Sequence, residues 1–166
     1  LRKRQGQVPR LEVLADGSER LVMPIGTLSF SEAHTDPALR LQHMSQVGIT
    51  RQMLSLPGLF GIDSLPFEES APLVRGFNEA CAQLCQTHSE RFCGLAALPW
   101  ANMDAAVAEL RRARLELGLL GADLNTDGGR WRAYRRLHAA LEQNDDWSDR
   151  LFARDFASAY EEQVRL

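Results

Sequence analysis

Cys81, Cys85 and His88 stand at i, i+4 and i+7 in the stretch CAQLCQTH. On a helix that spacing puts two thiols and an imidazole along one side. Three such groups can in principle share a metal ion. The competing reading is structural: cysteine is among the most buried residue types and packs as a small hydrophobe. His88, near a helix end, answers the helix dipole. The structural reading is preferred. The remaining histidines do not gather around these three. His34 lies in a loop before a helix cap, His43 falls within a helix, and His138 has basic neighbours on another. None of the four stands at the C-terminal end of an expected strand, so no metal ligand and no catalytic residue is assigned.

Other side chains do fall at strand ends, in Ser55 to Gly58, Pro99 to Asn102 and Asn125 to Asp127. Ser55 has no histidine–acid pair beside it in sequence, so it reads as a substrate contact or a turn serine, not a nucleophile. Trp100 is placed to wall a pocket or to pack on the helix that follows. Asn125 and Asp127, in NTDGG, either face a site or serve as loop and helix cap. The Arg111–Arg114 cluster RRAR reads as a solvated helix face, with the stem of Arg114 packed down.

The elements that must position these residues follow from periodicity. Residues 9–27 carry two apolar runs around Asp16-Gly17, a hairpin signal. Asp36 and Pro37 open a helix on which Leu41 and Met44 share a face, and Gly48 stops it. ITRQMLSLP reads as a strand ending near Ser55–Pro57. In APLVRGFNEACAQLCQTHSERF, the residues Leu73, Val74, Phe77, Cys81, Leu84 and Cys85 form one helical stripe. A strand spans 92–98 and ends on Pro99. The next helix presents Val107, Leu110, Arg114 and Leu117, and Gly118 and Gly121 flank its exit. LLGADLN is a further buried strand, and Trp131, Tyr134, Leu137 and Leu141 mark a last helix. Short apolar strands alternating with helices form parallel βαβ units. A β/α barrel and a doubly wound sheet both satisfy that order, and in both the loops after the strands carry the chemistry.

Composition bounds the function. The chain has 166 residues, a formal net charge of −3 and 45% hydrophobic residues, enough for one domain with a core. Charge near balance argues against a nucleic-acid surface. No apolar run is long enough to span a bilayer. The opening LRKR has no apolar stretch behind it, so it does not read as a signal peptide. Three cysteines without a CxxC favour a reducing, cytoplasmic setting. GLFGID is not a GxGxxG, and no GxxxxGK[ST] is present, so a nucleotide phosphate loop is not expected. The chain opens on leucine, which reads as a processed start or a piece of something longer.

Several blocks in order resemble a known family. The asparagine-bearing helix around Asn78, the run SERFCGLAALP from Ser89 to Pro99, and LGLLG from Leu117 to Gly121 are similar to the amidohydrolase-2 family. That family includes aminocarboxymuconate semialdehyde decarboxylase and related aromatic-acid decarboxylases. The resemblance covers residues 1–144; residues 145–166 match nothing and read as a helical tail. It implies an α/β fold, a metal-dependent (β/α)8 TIM barrel in which the N-terminal β-hairpin is a small insertion. It also implies Zn2+ or another divalent metal as cofactor, a small carboxylic-acid substrate and a homo-oligomer, with no nucleic-acid or membrane partner. An arginine from the insertion holds the substrate carboxylate in that family; Arg20 is nearest, with the register off by about one residue, which flips a strand face.

The family's opening strand carries His-x-His, whose imidazoles at i and i+2 reach one metal. A later histidine and an aspartate complete the set. This sequence has no His-x-His and no strand ending in His-Pro after residue 144. A barrel of this type needs about 250 residues, so about three of its strands are expected, beginning just after the place of His-x-His. The expected function is therefore that of part of a metal-dependent hydrolase or decarboxylase whose metal site lies largely outside this chain. The alternative is a non-catalytic partial barrel acting as an interaction module through its unpaired strand edges.

Overall fold

The computed structural model describes residues 7–29, 35–123, 135–137 and 139. Asp16 turns the chain back on itself: its Oδ1 accepts from the Ser18 backbone N–H at 2.9 Å and from the Ser18 hydroxyl at 2.6 Å. Gly17, at φ 82°, supplies the left-handed residue the turn needs. Strands β1 (Arg10–Val13) and β2 (Glu19–Met23) pair antiparallel, with Leu11 opposite Leu21. A third strand, β3 (Gly26–Ser29), pairs with β2 beyond the hairpin expected over 9–27. Its connection, Pro24-Ile25, carries none of the Asn-Gly or Gly-x signals that mark a tight hairpin, which is why periodicity missed it. Leu21 and Met23 form the buried face of this sheet.

Asp36 caps α1 (Pro37–Gln46) by accepting from Ala38 N–H at 2.7 Å, and Met44 is the buried residue of that helix. Gly48, at φ 75°, ends it in the left-handed conformation. The chain then enters β4 (Gln52–Leu54), which runs parallel to β5 (Phe92–Gly94) with Gln52 opposite Phe92 and Leu54 opposite Gly94. Arg91 fastens the starts of the two strands: its Nε donates to Thr50 O at 2.9 Å, and one Nη donates to Ile49 O and to Ser45 Oγ, both at 3.2 Å.

Two short 3-10 turns, Gly58–Phe60 and Ile62–Ser64, lead from β4 to α2 (Phe67–Thr87). This helix begins ahead of the Ala71 start its apolar stripe suggests and carries Pro72 inside its second turn. Pro72 removes only one backbone bond near the N-terminus, while Glu68 and Glu69 suit the positive end of the dipole. The inward stripe is also rotated: Val74, Asn78, Cys81 and Ala82 are buried. Asn102 caps α3 (Met103–Leu115) by accepting from Ala105 N–H at 3.1 Å.

Beyond α3, part of LLGADLN joins the sheet. Leu120 N–H donates to Gly94 O, Ala96 N–H to Gly121 O, and Asp123 N–H to Ala96 O. A single parallel bridge links Ala96 and Ala122. Helices α2 and α3 meet one side of this sheet through Cys81, Ala82, Ala96, Ala113 and Leu119. The fully buried alanines 96, 106 and 113 let the helices approach closely. Leu137 joins Leu98, Ala106 and Leu110 in the adjoining cluster. Met53, next to Leu54 and so on the sheet's other face, is 54% exposed.

The Arg111–Arg114 cluster is not the solvated face its composition suggests. Arg112 is clasped by Glu109 and Glu79, and Arg114 donates to Leu119 O at 2.7 Å. Asn125, Asp127, Trp131, Tyr134 and Leu141 lie outside the described residues, as do the division after residue 144 and the tail 145–166. Among the described residues no helix is long and apolar enough to cross a membrane.

Candidate functional site

The C-terminal ends of parallel strands expose backbone that the next helix does not cover, and the loops there are free to vary. Among the described residues that end comprises Ser55–Pro57 after β4, Ala97–Asn102 after β5, and Asp123. Ser55 is half-buried in the first of these. Trp100, also half-buried, lies against the cluster of Leu98, Ala106, Leu110 and Leu137.

Arg20 sits on β2 directly opposite Glu12 of β1. Its Nε donates to Glu12 Oε2 at 2.8 Å, and Arg10 holds the other oxygen through Nε at 2.9 Å and an Nη at 2.6 Å. The hydrogen bonds from Arg20 and then Arg10 keep the Glu12 carboxyl below the usual carboxylate range. Two guanidinium groups thus converge on one carboxylate, and the Arg20 side chain stays 41% exposed. The small sheet meets the exit of β4 at Gly61: a Cβ there would lie 3.1 Å from Pro24 Cδ and 3.5 Å from Pro9 Cδ.

The fully buried polar side chain at this end is Asn78, which lies on α2 among apolar neighbours. Its Nδ2 donates to Ala97 O at 2.9 Å, and its Oδ1 accepts from Ala97 N–H at 2.8 Å. The second hydrogen of Nδ2 goes to Glu109 Oε1 at 2.7 Å. Arg112 grips Glu109 with two bonds, 2.7 and 2.9 Å long. Every hydrogen-bonding position of the Asn78 amide nitrogen is therefore used, which fixes the orientation of the group. Burial pushes the Glu109 carboxyl up, but the bonds from Arg112 and Asn78 outweigh it and hold the group below its ordinary range. In the sequence Asn78 was legible only as the asparagine of the helix that carries the family resemblance; nothing in periodicity showed that Glu109 and Arg112 lie behind it.

The three thiols do not form a reactive centre. Cys81 is buried, and that burial, followed by the neighbouring Cys85, pushes its pKa up to about 12. Cys85 is raised by burial in the same way. Among the described residues no three His, Cys, Asp or Glu side chains stand close enough to hold a metal ion. A shallow groove of about 380 Å³, lined by Arg51, Cys85, Cys93, Glu116 and Leu120 among others, opens at the N-terminal ends of the strands. That is the end away from Ser55 and Trp100.

Comparison with known proteins sets this geometry in context. The chain is 33% identical over 93 residues to 2-amino-3-carboxymuconate-6-semialdehyde decarboxylase of Dictyostelium discoideum, a stretch covering 55% of this chain and 26% of that protein. It is 39% identical over 88 residues to γ-resorcylate decarboxylase of Rhodococcus jostii, covering 52% of this chain and 26% of that protein. The matched part thus spans about a quarter of the length of these relatives. Among solved structures, 2,6-dihydroxybenzoate decarboxylase from Rhizobium superposes with a TM-score of 0.54 at 28% identity, over 65% of this chain and 36% of that one. A 5-carboxyvanillate decarboxylase variant from Novosphingobium aromaticivorans, with bound manganese and 3-methoxy-4-hydroxy-5-nitrobenzoic acid, gives 0.54 at 25% identity, over 64% and 32%. The amidohydrolase-2 family model, described as Amidohydrolase, matches residues 31–160. With both parallel strands and their C-terminal loops inside that match, the chain belongs to the amidohydrolase-2 family.

Proposed function

We propose that this chain is the strand-β4-to-helix-α3 portion of a metal-dependent (β/α)8 enzyme that removes carbon dioxide from a small aromatic carboxylic acid. The observation that carries the proposal is the one-sided packing of the parallel sheet. Helices α2 and α3 cover the face that bears Leu54 and Ala96, while Met53 on the other face stands 54% exposed. A doubly wound sheet carries helices on both faces; a barrel wall carries them on one and turns the other toward further strands. The three-stranded sheet at residues 10–29 is the insertion over the strand exits in this reading, and the barrel portion runs to about residue 144.

The two relatives compared above are both decarboxylases, and this favours carboxyl loss over hydrolysis. Manganese, which the related 5-carboxyvanillate decarboxylase holds, and zinc are both candidate metals. The described residues do not fit such a group, because no three ligating side chains converge among them. The ligands therefore lie elsewhere in the protein, and the described residues act as scaffold and pocket wall. Arg20 is proposed to offer its exposed guanidinium to the substrate carboxylate, sharing its charge with Glu12. Ser55, Trp100 and Asn125 are proposed to line the pocket mouth. A homo-oligomer in the cytoplasm completes the reading.

The test is direct. The protein is incubated with Mn2+ or Zn2+ and a panel of hydroxybenzoic acids, and substrate absorbance and carbon dioxide release are followed together. Stoichiometric release supports the proposal. Hydrolysis of an amide or lactone panel without carbon dioxide release moves the function to the hydrolases of the family. Activity toward neither, in a protein shown to hold a metal, overturns it.

A further inference from the structure

Successive residues of a strand point their N–H and C=O groups to opposite edges. Ala96 uses both of its groups on the edge facing Gly121 and Asp123. Ala97 therefore presents its own pair toward β4. The β4–β5 ladder stops short of it: the last paired residues are Leu54 and Gly94, and the last bond is Leu95 N–H to Leu54 O, at 2.9 Å. Two residues further along β4, where the ladder would next reach Ala97, Leu56 has turned aside to pack with Ile62, Leu65, Val74 and Ala97. The position it leaves is taken by the Asn78 side chain, whose amide accepts from Ala97 N–H at 2.8 Å and donates to Ala97 O at 2.9 Å.

We infer that Asn78 is a positioning residue: its side-chain amide stands in for the missing stretch of β4, holds the exits of β4 and β5 apart, and so places the Leu98–Asn102 loop that carries Trp100. The gap lies between adjacent parallel strands at their C-terminal ends, where a ligand can reach between them. The amide is suited to this because it has a donor and an acceptor side by side, as a peptide group does. Glu109 fixes which way round it sits, since only the nitrogen can face a carboxylate, and Arg112 fixes Glu109 in turn. Leu98 and Trp100 follow at once: Trp100 N–H closes a tight turn on Leu98 O at 3.0 Å. The link to catalysis rests on the proposed function; the link to the loop does not.

The test uses the full chain with 5-fluorotryptophan incorporated, the Trp100 resonance being assigned by W100F. Amide hydrogen exchange is followed at Ala97, and at Leu95 and Asp123 as ladder controls. In Asn78→Ala, the Ala97 amide is expected to exchange at least about tenfold faster, the controls to change less than about twofold, and the Trp100 fluorine resonance to shift. If all three amides speed up together, or if the Trp100 resonance stays in place, the residue is merely structural and the inference fails. Asn78→Asp guards against a variant that does not fold. Its charged carboxylate faces Ala97 O and Glu109, whereas its protonated form restores a donor. Taken relative to the parent at each pH, so that the common fall in intrinsic exchange rate cancels, both readouts are therefore expected to return toward the parent values as pH falls from about 7 to about 5, above the range in which Glu109 titrates. No return on acidification overturns the inference. None of these readouts needs turnover, so loss of the decarboxylase reading leaves this one standing, and the reverse.

Discussion

A Cβ on Gly94 would fall 2.5 Å from the Sγ of Cys81, with Leu119 Cδ2 at 2.9 Å and Cys85 Sγ at 3.2 Å. Glycine is required at this position of β5 because α2 lies directly on the backbone there. Gly94→Ala is expected to cost about 1–3 kcal/mol through overpacking. Cys81→Ala in the same chain should recover part of that loss, because it removes the nearest obstacle. Urea melts of the two single variants and the double variant give the coupling. Strictly additive losses would show that the helix had moved off the strand instead.

Gly61 is required for two reasons together. Its φ is 75°, and an added Cβ would meet Pro24 at 3.1 and 3.2 Å. Gly61→Ala is therefore expected to cost about 1–2 kcal/mol for the left-handed backbone alone, and more if Pro24 cannot yield. Thermal melts measure the cost. Limited proteolysis should show earlier cleavage within residues 9–29, since the small sheet rests on this glycine.

Glu109 gives the fold a sensitivity to acid. Its carboxyl is held below the ordinary value of 4.5, against the upward push of burial, by Arg112 and Asn78. Above pH 4.5 its stabilising contribution is complete. As pH falls below that value, the unfolded chain takes up the proton first, and stability is lost down to the lowered folded value. Glu109→Gln keeps an acceptor for Asn78 but removes the ion pair, an expected loss of about 1.5–3 kcal/mol at neutral pH. The melting temperature of that variant should fall less steeply in acid than the parent's. Parallel curves would exclude Glu109 as a source of the acid response.

Cys81 should resist alkylation. With its pKa pushed up to about 12, the thiolate fraction at about pH 8 is on the order of one in ten thousand. Brief exposure of the native chain to iodoacetamide, followed by mass analysis, is expected to leave Cys81 unmodified. After urea unfolding it should react fully. Equal rates in both states would contradict the buried packing.

The sequence showed the alternation of strand and helix plainly, because apolar periodicity reports which side of an element is buried. The Asp36 cap with Pro37 and Gly48, the Asp16-Gly17 turn and the start of β5 after Arg91 were all legible for that reason. The start of α2 was not, since Pro72 looks like a first-turn residue yet stands well inside the helix. Strand β3 was hidden by its Pro24-Ile25 connection. The candidate site was less legible still. Glu109 and Arg112 look like ordinary surface charges in RRAR and its preceding turn, and only the fold puts them behind Asn78, 31 positions from Glu109. Arg20 was singled out through the family resemblance, and its partner Glu12 depends on strand register, which periodicity does not fix.

Arg91 also bears on the order in which the chain assembles. Its bond to Thr50 O spans 41 positions, and the β4–β5 ladder begins beside it. Parallel strands have no short turn to hold them together. The entropy of closing that loop must be met before any ladder bond can compensate it. Helix α2 fills the intervening span with local contacts, which form far faster than strand pairing. The helix is then expected to precede the ladder, with Arg91 acting as the latch that keeps the first encounter of β4 and β5 from reopening. Slowing that step, for instance with Arg91→Ala, should lengthen the time the facing edges of β4 and β5 stay unpaired during synthesis, which makes this one guanidinium a control on yield as much as on stability.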